Sequence, residues 1–149
     1  MTDDITNCCQ NKKEERVPLT VGSLSLTELE ALFTTIPAEL TFVDKDDYIV
    51  YYNEPKTPIF PRNPQIIGTT IQACHSEASI PALNKIIELL KSGVKDSIDS
   101  WRTVKGRLIY IKYMAARGKN GNYAGMLEFT MDITDIKKVE GERSYSEDR

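Results

Sequence analysis

A chain of 149 residues, 40% hydrophobic and 28% charged, is long enough to bury its own core and suits one globular domain with a tail. Its net charge of −3 argues against any general attraction to nucleic acid or an anionic membrane. A single histidine and three cysteines exclude di-iron and two-histidine zinc centres and a disulfide framework, and no run of about 18 apolar residues is there to span a bilayer.

Residues 1–22 open on "MTDDITNCCQNKKEER", polar and acidic where a signal peptide would be basic and apolar. A mobile arm and a cytoplasmic protein are expected. Cys8 and Cys9 lie in that arm, where a solvated, redox-labile tail is the plain reading. Next, "SLSLTELEALFTTIP" predicts a helix. Ser25 and Glu28 have capping-box spacing, Leu26, Leu29, Leu32, Phe33 and Ile36 fall on one face, and Pro37 ends it. Two short strands follow, Leu40–Val43 and Tyr48–Asn53, around the polar turn 44–47.

Residues 54–79 carry Pro55, Pro58, Pro61 and Pro64. These prevent one long helix and favour short turns. "SIPALNKIIELLKSG" then predicts a second helix, with Pro81 in its first turn, a stripe of Leu83, Ile86, Ile87 and Leu90, and Gly93 after its end. Three strands complete the order: Ser97–Val104, Arg107–Arg117 and Tyr123–Ile133. The intervening "KG" and "GKNGN" are hairpin chemistry. Alternation sets Leu108, Tyr110, Lys112 and Met114 against Ile109, Ile111, Tyr113 and Ala115. In the last strand it sets Gly125, Leu127, Phe129 and Met131 against Ala124, Met126, Glu128 and Thr130. Both faces are largely apolar, so each needs a cover.

This order is similar to the PAS domain, a five-stranded antiparallel sheet cradling a small-molecule cavity. "LTFVDKDDYIVYYNE" resembles its opening hairpin, Ile66-Ile67-Gly68 its step before the cavity loop, and "GNYAGMLEFTMDITDIKKVE" its last strand with the "DIT" ending at 132–134. The fold expected is α+β. A PAS-like sheet carries short helices and one longer helix over one face, behind an N-terminal amphipathic helix, across residues 23–140. A polar tail, 141–149, follows. "FPRNPQIIG" followed by "CH" resembles most closely the PAS domains found after hemerythrin-like modules. The resemblance implies a binding and signalling module, not an enzyme; a separate effector protein is a candidate partner for its output.

Candidate site residues cluster around "IQACHSEAS" at 71–79, which holds the lone histidine. Several PAS families place an axial haem ligand near this helix. His75 first and Cys74 second are therefore the candidate ligands for a haem-type porphyrin iron, imidazole and thiolate both being competent donors. The same residues can equally finish a loop ahead of a helix, with Cys74 a small hydrophobe. Cys74 lacks the sequence surroundings of the flavin-adduct cysteine of light-sensing PAS domains. Tyr52, Tyr110 and Phe129, with Tyr51, Tyr113 and Trp101, supply ring surface that would line a flat ligand or serve as ordinary strand residues. Arg62, Lys112 and Arg117 could meet ligand carboxylates. Glu128 stands out as a charge in the middle of an apolar strand.

The expected function is a PAS sensor that binds a small apolar or aromatic ligand and signals as a homodimer, through the first helix and residues 134–141. The alternative is a ligand-free module whose sheet docks on another protein. A Cys74–His75 catalytic pair is the third, from a different class.

Overall fold

The computed structural model describes residues 14–145; Cys8 and Cys9 lie outside them. The chain forms two compact units that divide between Leu32 and Phe33. In the first, β1 (Arg16–Pro18) pairs antiparallel with β2 (Ser23–Ser25), and the Leu19 amide closes the turn on the Gly22 carbonyl at 3.0 Å. Part of the expected arm is thus a strand. Its hairpin is too short for periodicity to reveal.

Helix α1 (Leu26–Thr35) begins with the expected capping box, made in both directions. The Glu28 amide donates to Ser25 Oγ at 3.1 Å, and the Ser25 amide donates to Glu28 Oε2 at 2.9 Å. Arg16 adds an ion pair to the same carboxylate at 2.9 Å. The Ser25 amide first, and Arg16 second, hold the Glu28 carboxyl below its ordinary range. Leu26 and Leu32 stay exposed.

The second unit is, as expected, a five-stranded antiparallel sheet; its strand order is β4-β3-β7-β6-β5. Its strands are β3 (Glu39–Asp44), β4 (Ile49–Tyr52), β5 (Ser97–Val104), β6 (Arg107–Arg117) and β7 (Tyr123–Asp132). Lys105 and Gly106, both at positive φ, make the two-residue turn between β5 and β6 that "KG" predicts. Between β4 and helix α2 (Ile80–Lys91) the prolines leave only 3-10 turns, at Pro64–Ile66, Ile71–Cys74 and Glu77–Ser79.

Register assigns the two faces of the sheet, because paired residues in neighbouring strands share a face. Thr41, Glu128, Tyr113 and Ile98 lie in one row, and Val43, Met126 and Ala115 in the next. Helix α2 covers this face. Its Leu83, Ile87 and Leu90 pack with Val43, Ile49, Ile71 and Met126 into the core, burying the predicted stripe. Phe42, Leu127 and Met114 define the opposite face. No helix of the described residues is long and apolar enough to cross a membrane.

Candidate functional site

Along the α2-covered face, burial changes from row to row. Val43, Ile49, Met126 and Leu90 are sealed, at 1% exposure or less. Farther down the same strands, Tyr113, Glu128 and Ile111 keep accessible surface, as do Phe60, Arg62 and His75 of the loop that follows β4. One half of the face is closed by α2, and the other stays partly exposed beside the loop. The candidate site is that second half.

A buried carboxylate holds the loop in place. Glu39 Oε1 accepts the amides of Ile59 at 2.6 Å and Phe60 at 2.9 Å. Arg62 reaches Glu39 Oε2 at 3.4 Å and donates through Nη1 to the Leu40 carbonyl at 2.9 Å. Its guanidinium carbon lies 5.5 Å from the centre of the Tyr52 ring, within cation–π range. Asn53, also buried, accepts the Leu40 amide at 2.7 Å and donates to the Phe33 and Ala38 carbonyls at 2.9 Å each. Two cavities flank Glu39. One of about 340 Å³ is bordered by Tyr52, Asn53, Phe60 and Arg62; the other, of about 290 Å³, by Ile36, Lys56, Arg107 and Asp132.

The residues singled out in the sequence do not all meet here. His75 Nδ1 lies 2.9 Å from the Ile71 carbonyl. A carbonyl only accepts, so Nδ1 carries the proton and Nε2 of a neutral ring is left with its lone pair. Cys74 is exposed, its Sγ 3.7 Å from Thr69 Oγ1, so the two neighbours neither pair with each other nor share one target. Tyr52 lies on the site's face, in register with Thr41. Tyr110 and Phe129 lie on the opposite face, opposite Trp101 and Leu40 respectively. The Tyr110 hydroxyl donates to Asp99 at 2.6 Å. They cannot line one cavity with His75. Of the three basic residues named, only Arg62 is at the site. Arg117 instead donates to the Leu90 carbonyl at the end of α2, and Lys112 is paired with Phe129 on the far face. Among the described residues no three metal-ligating side chains gather.

Glu128 is the unusual group. It is half-buried, and among the described residues its carboxylate accepts no hydrogen bond and joins no ion pair. Burial pushes its carboxyl above the ordinary 4.5, Glu39 adds to the rise, and His75 and Arg62 oppose it. Tyr113, its cross-strand neighbour, is likewise pushed up, mainly by burial and then by Glu128. The sign for stability follows from linkage. A carboxyl whose folded pKa exceeds its unfolded value contributes stability present in full below the unfolded pKa and lost as pH rises through the folded one. Melting curves should therefore show wild type losing stability as pH climbs above 4.5. Glu128→Gln should flatten that slope and be the more stable protein at neutral pH, by about 1–3 kcal/mol. Parallel pH profiles for the two proteins would contradict this placement of Glu128.

Against known proteins, the family model described as "PAS domain" matches residues 29–134. The crystal structure of a C-terminal domain from Streptococcus mutans is similar at a TM-score of 0.80 and 30% identity, over 85% of this chain and 98% of that one. A PAS domain from Colwellia psychrerythraea gives 0.54 at 17% identity, over 74% and 98%. A sensory box sensor histidine kinase from Vibrio cholerae gives 0.50 at 20%, over 71% and 90%. No curated protein matches the sequence significantly.

Proposed function

The chain belongs to the PAS domain family, and we propose that this sensor and signalling module takes a small, largely apolar or aromatic ligand between its sheet and the loop after β4. The half-sealed face carries this reading. α2 buries Val43, Ile49 and Met126, while Tyr113, Glu128, Phe60 and His75 retain surface. The cavity of about 340 Å³ bordered by Tyr52, Phe60 and Arg62 adds the partly apolar recess with a few polar groups that small-ligand sites require. We take the stretch 60–75 as kin to the PAS domains that follow hemerythrin-like modules. The module acts as a homodimer upon a separate effector, using the exposed Leu26 and Leu32 of α1 as contact residues. It binds and does not catalyse: Cys74 Sγ and the His75 ring have different partners.

A porphyrin suits the geometry poorly. His75 does have the arrangement of a metal-ligating imidazole, with its Nδ1–H held by a carbonyl. Cys74, however, is exposed with its Sγ beside Thr69 Oγ1, and neither of the cavities of about 290 and 340 Å³ is lined by His75 or Cys74. Added haem should give a broad absorption band that His75→Ala and Cys74→Ala leave unchanged.

Native mass spectrometry of the protein purified without denaturation tests the main reading. We expect a small non-covalent adduct that denaturation releases. A fully unliganded spectrum, with no amide of β6 or β7 shifting in an NMR fragment screen, would overturn it in favour of a ligand-free docking module. Sedimentation should show a dimer that Leu32→Glu dissociates.

A further inference from the structure

The cavity of about 290 Å³ shares only Glu39 and Pro55 with its neighbour and has no part in the reading above. Its walls come from the last residues of α1, the start of β3, the loop after β4, and the adjoining ends of β6 and β7. Two cations lie on it, Lys56 and Arg107. Lys56 makes no hydrogen bond or ion pair among the described residues. Arg107 has one partner among them, Asp132 Oδ2 at 3.7 Å, which is beyond hydrogen-bond reach. Its guanidinium N–H groups therefore remain open to a ligand.

The two carboxylates on the same cavity are engaged. Glu39 Oε1 accepts the Ile59 and Phe60 amides, and its Oε2 faces Arg62. Asp132 Oδ1 accepts the Thr134 hydroxyl at 2.6 Å and the Thr134 amide at 3.0 Å. At the end of α1, Asn53 donates to the Phe33 carbonyl, and the Ala38 amide to the Ile36 carbonyl at 2.8 Å. Thr35 and Thr57 add hydroxyls without partners among the described residues. Ile36, Pro37 and Ile59 add apolar wall.

Each class of ligand meets this inventory differently. A cation would approach two like charges, with the nearby carboxylates already occupied. An uncharged apolar molecule would gain the wall and nothing from Lys56 or Arg107. A carboxylate would receive charge-assisted hydrogen bonds from both, the planar guanidinium suiting its two oxygens. A short hydrocarbon body would then cover the apolar wall. We propose that this cavity is a second binding site, for a small aliphatic carboxylate received by Lys56 and Arg107.

The test titrates butyrate, 1-butanol, butylamine and inorganic phosphate into the full chain at pH 7. Ionic strength is low and constant, because salt screens exposed cations. The amides of Thr35, Thr57, Arg107 and Asp132 report on this cavity by 1H–15N NMR, and those of Tyr52, Phe60 and Arg62 on the other. Butyrate should shift the first set and bind about tenfold more tightly than butanol, the advantage of a hydrogen bond to a charged group. Phosphate, which has no body to cover the wall, should bind more weakly than butyrate, and butylamine weakest of all. The double variant Lys56→Gln, Arg107→Gln should erase the advantage of butyrate over butanol. If butanol binds as tightly as butyrate, or the advantage survives the double variant, recognition of the carboxylate is overturned. If phosphate matches butyrate, the apolar body is overturned. If butyrate shifts only the second set, or neither, this site falls. The comparison among probes on the unaltered chain needs no variant to fold.

Discussion

Gly125→Ala should destabilise the protein by about 3 kcal/mol, near the upper end for forcing extra volume into a packed site. Gly125 sits on β7, opposite Asp44 of β3, at the middle of the sheet. A Cβ built there would overlap the Val43 carbonyl oxygen and stand 2.8 Å from Cζ of Phe42. The first obstacle is backbone, which no rotamer change can remove. Relief must come from parting β3 and β7, the strands that set Val43 beside Met126 and Thr41 beside Glu128. The substitution therefore damages core and candidate site together. With roughly 2–4 °C lost per kcal/mol in a chain of this size, the melting point should fall by about 6–12 °C. Gly118→Ala is the control. The nearest atom to its added carbon is 4.0 Å away, so its effect should stay within about 0.5 kcal/mol. Equal urea midpoints for the two variants would contradict the close approach of β3 and β7.

How far such a site could be read from the residues depends on the kind of signal each leaves. Period-2 alternation sorted β6 and β7 into the right two sets, and the register confirms that Tyr113 and Glu128 share one face and Lys112 and Phe129 the other. Alternation cannot say which set meets α2, because both sets are apolar. That is why Tyr52, Tyr110 and Phe129 looked like one lining and are divided by the sheet. Glu128 did announce itself, since a lone carboxylate in an apolar strand has few structural uses. Glu39 left no such mark. It stands at the start of β3, where a glutamate looks solvated. Its importance comes from the backbone amides of Ile59 and Phe60, 20 and 21 residues away. Side chain-to-backbone bonds across that distance follow no sequence period. The capping box of α1 was legible for the opposite reason: both partners lie within one helical turn.

Glu39 is accordingly the residue whose loss should reach the candidate site most directly without touching it. In Glu39→Ala, the amides of Ile59 and Phe60 lose their acceptor, and Arg62, only 15% exposed, loses its counter-charge. Removing one member of a buried pair leaves the other charge uncompensated and typically costs about 3–5 kcal/mol. Arg62→Leu should cost less, about 1–3 kcal/mol. There Glu39 keeps two amide donors, and the Leu40 carbonyl still accepts the Asn53 amide at 3.1 Å. The double variant should be milder than the sum of the two, because removing the carboxylate first takes away the reason the guanidinium is needed. Hydrogen exchange separates this account from a general loss of stability. In Glu39→Ala the Ile59 and Phe60 amides should exchange fast while those of Ile109 and Met126, in the sealed part of the sheet, stay protected to nearly the global limit. A uniform rise in exchange across the sheet would show that Glu39 supports the whole fold. A change confined to residues 54–62 would show that it anchors the wall of the cavity, and that ligand affinity can be tuned there without disturbing the core.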